Sequence, residues 1–172
     1  MLSLDQSNAV VLSPSTETAC SRITETDQLV RPELKTLFRF WQQKTGDRKA
    51  PARTDFDVPE LLPWLPHLML SDLLHDGTDV RFRVIGTWVV EHFGRDDSGK
   101  TASEINFAGR SRAILNEYNV VASEMAPHAV RGAFFNHNGK EDFRSAERLI
   151  LPLSNDGETC SKLLTGIYFL DI

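Results

Sequence analysis

Hydrophobic positions from residue 34 onward follow two different periods. In "RPELKTLFRFWQQKTGD", Leu34, Leu37, Phe38 and Trp41 recur at i, i+3, i+4 and i+7, which sets them on one face of a helix. Phe40 falls off that stripe. A wide core face is the favoured reading; together with Trp41, Phe40 is also the candidate contact surface for a second chain. A proline-spaced connector follows. Asp57 and Glu60 have capping-box spacing around Pro59, and Pro63 and Pro66 end that helix early. Short apolar runs then predict strands. "HLMLSDLLH" and "DVRFRVIG" meet at Asp76-Gly77, "HAVRGAFFNH" and "DFRSAERLILPLS" at Asn138-Gly139, and that strand and "SKLLTGIYFLDI" at Asp156-Gly157. Such dipeptides adopt the positive φ of tight hairpin turns, so three antiparallel pairings are expected.

The middle of the chain is helical in pattern. Thr87 is placed to cap "WVVEHF", which Gly94 ends, and Thr101 with Glu104 forms a second capping box. "GRSRAILNEYNVVASEM" sets Ile114, Tyr118, Val121 and Met125 along one stripe. Residues 1–27 show no sustained period and read as a flexible tail, with "AVVL" as the candidate docking strand. The expected order is helix, two strands, helices, three strands. It predicts an α+β fold: a five-stranded antiparallel sheet with helices on one face. The last strands are almost continuously apolar, so the N-terminal helix is expected on the other face. The expected domain is 28–172, with helix and connector in 28–66 and the core in 67–172.

A chain of 172 residues suits one domain with its own core. The net charge of −5 argues against a broad nucleic-acid surface. Cys20 and Cys160 have no ligand-spaced partners, so no zinc pattern exists. The first residues carry no basic leader, and no apolar run reaches membrane-spanning length. The expectation is a cytoplasmic protein with no membrane insertion.

The stretch "GRDDSGKT" satisfies the phosphate-loop rule through Gly94, Gly99, Lys100 and Thr101. A phosphate loop follows a buried parallel strand and opens a long helix. Hairpins surround this one, and Asp96 and Asp97 inside it oppose a triphosphate. A polar loop between two short helices is the preferred reading, and a nucleotide-binding protein using Lys100 and Thr101 is the alternative. Among ionisable groups, strand alternation puts Glu147 on the side of Phe143, Leu149, Leu151 and Leu153. In one register that side faces the helices and Glu147 points at a pocket, with Arg131 or Arg83 as its partner, either as a ligand contact or as a strand-to-helix salt bridge holding the fold; in the other it faces away. A cone-shaped α+β enzyme with Glu147 as a buried base is a further alternative. No G-x-S-x-G or H-E-x-x-H pattern occurs. His92, beside Phe93 on a short helix, is only a loose match to a haem ligand.

"RFRVIGTWVVEHFGRDDSGKTASEI" resembles the early part of a PAS domain, and "AERLILPLSNDGETCSKLLTGIYF" its last two strands. The stretch from "LFRFWQQKTGD" to "LMLSDLL", with its W-x-x-x-x-G and P-x-R features, is similar to single-domain PAS-like proteins of alphaproteobacteria. The resemblance covers about 31–172. It implies a PAS-like five-stranded sheet and a sensory or adaptor module that is not an enzyme. The implied partners are a small-molecule ligand, a signalling protein and a second copy in a homodimer, with no nucleic acid. The cofactor is unknown; neither cysteine lies where a flavin photoadduct needs one. The pocket candidates are Trp88, Phe93, Phe107, Tyr118, Arg131, Glu147 and Leu149, and the interface candidates Phe40 and Trp41.

Overall fold

The computed structural model describes residues 19–105 and 110–170, without the side chains of 141–143. The described strands are β1 (Ala19–Arg22), β2 (Leu68–Leu74), β3 (Asp79–Ile85), β4 (His128–Phe135), β5 (Glu141–Leu153) and β6 (Lys162–Phe169). The helices are α1 (Pro32–Thr45), α2 (Val58–Leu61), α3 (Thr87–Phe93) and α4 (Ser111–Glu124). The strands form one sheet in the order β1-β4-β5-β6-β2-β3, antiparallel at every pairing. The α+β class and antiparallel sheet therefore agree with the sequence pattern. The strand count does not: a sixth strand, β1, lies inside the segment read as a tail. "ACSR" has no alternation to reveal it. It pairs along the β4 edge, from Ala19 opposite Arg131 to Arg22 opposite His128, so its stability comes from ladder bonds rather than an apolar face. "AVVL" lies outside the described residues.

All three hairpins form where the turn dipeptides sit. At the β2–β3 turn His75, Asp76 and Gly77 take φ of 50°, 56° and 89°, a left-handed run that a β-branched residue would resist. At the β5–β6 turn the Asp156 carboxylate accepts the amides of Glu158 and Thr159 at 2.8 Å each, which holds its pKa well below the usual range. Two helix ends differ from expectation. Gly86, not Thr87, is the cap residue of α3. Helix α4 stops at Glu124, because Met125 turns left-handed with φ 51°.

The sheet is covered on both faces. Leu34, Leu37, Phe38 and Trp41 of α1 pack on Leu149, Leu151, Leu153 and Leu164. Gly166 permits that approach: a Cβ there would meet the Leu34 and Leu37 side chains at 2.9 Å each. On the opposite face α4 lays Tyr118 and Val121 against Val80, Phe82, Val130, Ile150 and Leu163. Helix α3 packs Val89 beside Phe134, Ala146, Ile167 and Phe169.

A small pocket on the helical face

Alternation along β5 decides what each face receives. Leu149, Leu151 and Leu153 belong to the α1 side, so Glu147 turns that way too. It is fully buried. Its carboxylate accepts the Val30 amide at 3.0 Å and the Arg31 amide at 2.9 Å, the latter at the start of α1. Arg131 Nε, directly opposite on β4, donates to it at 2.7 Å, and Arg131 also reaches the Gln28 carbonyl. Arg83 pairs with Asp72 instead. Glu147 therefore anchors the N-terminal segment to the sheet. The placement of Glu147, Arg131 and Leu149 in a pocket under the helices is corrected: all three lie on the other side. A carboxylate held by two amides and a guanidinium away from the pocket also removes the basis for the cone-enzyme reading.

The neighbouring residue, Arg148, faces the other way and lines a pocket of about 120 Å³. The walls are Met69, Phe82, Ala146 and Ile167 from the sheet, Val89 and Phe93 from α3, and Ile114 and Tyr118 from α4. Its polar lining includes Asp97, Arg110 and Arg148. Arg148 donates to Glu117 of α4 at 2.6 Å, tying that helix to β5. Arg110 lies over the Phe135 ring at 4.6 Å. Burial, and then the like charge of Arg148, pull its pKa below the ordinary value, with Glu117 opposing. Burial raises the Tyr118 hydroxyl.

Of the sequence candidates, Phe93 and Tyr118 line this pocket. Phe107 lies outside the described residues. Trp88 does not line the pocket; it packs against the Val89, Phe134 and Phe169 cluster. It stacks between His67 at 4.4 Å and His92 at 4.2 Å, and His67 stacks on Tyr168 at 3.9 Å. His92 is thus a member of a ring stack, with Nδ1 2.8 Å from the Trp88 carbonyl. The pocket itself has the scale of a cavity that holds one benzene ring, far below a haem. Sequence reasoning missed Arg148, Arg110, Glu117 and Asp97. Arg148 was within reach of the alternation argument, since it follows Glu147 and must face the opposite way.

The loop's hydrogen bonds agree with a polar loop rather than the alternative phosphate loop. In residues 98–102 the Gly99 amide donates to the Phe82 carbonyl at 2.7 Å and the Ala102 amide to Val80 at 2.9 Å. The Thr101 amide donates to Glu104 at 2.8 Å, Ser98 to Asp96 at 3.0 Å and Lys100 to the Asp97 carbonyl at 3.0 Å. These five amides, which a phosphate loop would turn toward its ligand, are taken by the edge of β3 and by local caps.

The interface candidates differ in burial: Trp41 is buried and Phe40 is half-buried. The Trp41 indole N–H donates to the Pro152 carbonyl at 2.9 Å. Phe40 lies against Trp64 and Phe56 of the connector, with centroids 5.4 and 5.5 Å away.

A family model described as "PAS domain" matches residues 30–169. The chain belongs to the PAS domain family. A solved structure described as "Structure of an RNA-binding Light-Oxygen-Voltage Receptor" is similar, with a TM-score of 0.53 at 11% identity. The match covers 92% of this chain and 40% of the neighbour's, so this PAS chain spans less than half of that protein. The likeness is one of fold. No curated protein matches the sequence. Among the described residues, no helix is long and apolar enough to cross a membrane.

Proposed function

We propose that this PAS domain is a sensory module that holds a small molecule between α3, α4 and the sheet. The single observation that carries this reading is the asymmetry of the two faces. On the α1 side Leu34, Leu37, Phe38 and Trp41 join a buried leucine-rich cluster with the sheet, while the α3–α4 face keeps a mostly apolar pocket with a few polar groups converging on it, the usual constitution of a ligand site. Occupancy biases the seat of α3 and α4, and the signal leaves by contact with a signalling protein or a second copy of the chain. The chain acts by binding rather than catalysis, which fits the sensory role general among PAS domains. The narrower kinship with single-domain PAS-like proteins rests on the W-x-x-x-x-G and P-x-R features near Trp41 and Pro51. The net charge of −5 supports a role without nucleic acid, although the neighbour's description names RNA.

Mass spectrometry of the purified protein, native and then denatured, tests this. A mass excess that vanishes on denaturation is expected, together with the mass of the assembly. A bare native mass, with no small molecule shifting the melting temperature in a fragment screen, overturns the reading.

A further inference from the structure

Asp97 is 1% exposed and lines the pocket. Its two oxygens have different fates. Oδ1 faces Lys100 Nζ at 3.1 Å and Arg95 Nε at 2.9 Å. Oδ2 is buried and has no hydrogen-bond partner among the described residues. An unmet buried acceptor costs about 1–3 kcal/mol, and native proteins leave few of them without a reason.

Resting on the ligand-sensing reading above, we propose that the pocket takes a small, mostly apolar molecule carrying an O–H or N–H donor, and that this donor bonds to Asp97 Oδ2. The cavity, about 120 Å³, sets the size: one six-membered ring with a short substituent, by comparison with a cavity of about 150 Å³ that admits benzene. The walls set the rest of the chemistry. Phe82, Val89, Phe93, Ile114 and Ile167 favour an apolar body. The cations on the wall do not dictate an anionic ligand. Arg148 is engaged by Glu117 at 2.6 Å, and Arg110 rests on the Phe135 ring. Among the described side chains that line the pocket, the buried acceptor without a donor is Asp97 Oδ2.

Phenol and toluene have nearly the same shape and differ in the donor; benzoate reports on the arginines. Titration of the full chain with each, followed by ¹H–¹⁵N NMR, gives three affinities. Phenol is expected to bind about ten-fold more tightly than toluene, the worth of one hydrogen bond to a charged group. In Asp97→Asn, Lys100 and Arg95 hold the amide oxygen and the pocket meets an NH₂ instead. Phenol should then lose its advantage while toluene binds as before. Equal affinity of phenol and toluene in the wild type, or unchanged phenol binding in Asp97→Asn, overturns the donor assignment and leaves the pocket standing. Preference for benzoate overturns it in favour of an anionic ligand. Binding of none of the three overturns this ligand assignment, while the ligand-sensing reading is decided separately by the native mass and the fragment screen. Should Asp97→Asn fail to fold, the wild-type series decides alone.

Discussion

The two faces of the sheet treat buried charge in opposite ways. Beneath α1, Glu147 is fully buried with both oxygens engaged, by two backbone amides and by Arg131. Beneath α3 and α4, Asp97 is nearly as buried but has one oxygen engaged and one without a partner. The first arrangement locks a segment in place, since a buried carboxylate is tolerated only when its lone pairs are met. The second leaves a polar atom unmet on a residue that lines a cavity. One face carries a leucine-rich core and the other keeps a cavity, although both are made by alternate residues of the same strands.

The largest expected effect comes from breaking the locked face. Glu147→Ala leaves the Val30 and Arg31 amides and the Arg131 guanidinium without their acceptor. A loss of about 3–5 kcal/mol is expected in urea denaturation. A loss below about 1 kcal/mol would show that the anchor contributes little and that the faces are less different than their geometry. Next comes a matched pair of small-to-large changes. Gly166→Ala forces a methyl against Leu34 and Leu37 and should cost about 1–3 kcal/mol. Ala146→Val adds volume on the pocket face, where space exists, and should be neutral within about 0.5 kcal/mol while weakening ligand binding. If both changes cost the same, the pocket face is as tightly packed as its opposite, and the comparison fails.

How much of this was legible in the sequence follows from which signals are local. Turn chemistry is local, so Asp76-Gly77, Asn138-Gly139 and Asp156-Gly157 revealed three hairpins and the direction of the strands. The stripe of α1 was equally plain. The face each strand turns to the helices is not local. Alternation grouped Glu147 with Leu149, Leu151 and Leu153 correctly, but only the packing of α1 says which layer they meet. Of the seven pocket candidates, Phe93 and Tyr118 line the cavity, and Glu147, Arg131 and Leu149 lie on the α1 side. Strand β1 escaped because ladder bonds to β4, not its own side chains, define it. Asp97 was read only for its charge in a loop, whereas its role comes from that loop folding along β3.

The ring stack Tyr168–His67–Trp88–His92 joins the two faces at one end of the sheet, and it titrates. Burial pulls His67 below its ordinary value of 6.5, against the Ile167 carbonyl and Glu33, with His92 adding to the depression. His128 is depressed by burial as well, opposed by Glu124. A histidine whose folded pKa is lowered binds its proton more readily in the unfolded chain. Its stabilising contribution is complete above about pH 6.5 and is lost as pH falls through the folded value. Stability should therefore decline on acidification from pH 7.5 toward 5.5. The carboxylates act later: Asp72, lowered by Lys162 and Arg83 against its own desolvation, holds its contribution until the pH falls below about 4. His67→Phe keeps a ring between Tyr168 and Trp88 and should flatten part of the decline, with His128 supplying the rest. A wild-type melting temperature that is constant from pH 7.5 to 5.5 would count against a depressed histidine at this junction.

The smallest effect concerns Lys100, and it bears on what the pocket face is for. Its ammonium is half exposed and meets a carboxylate that Arg95 also contacts. Lys100→Ala should cost no more than about 1 kcal/mol. A phosphate-binding lysine would behave differently, because magnesium nucleotides would raise the melting temperature of the wild type and not of the variant. The loop amides are bonded to β3 and to local caps, so neither protein should respond to nucleotide. Phenol binding should survive in Lys100→Ala, since Oδ2 and not the Lys100-facing Oδ1 is the acceptor. A Lys100-dependent nucleotide shift would instead make this loop, rather than the cavity beside it, the receptor on this face.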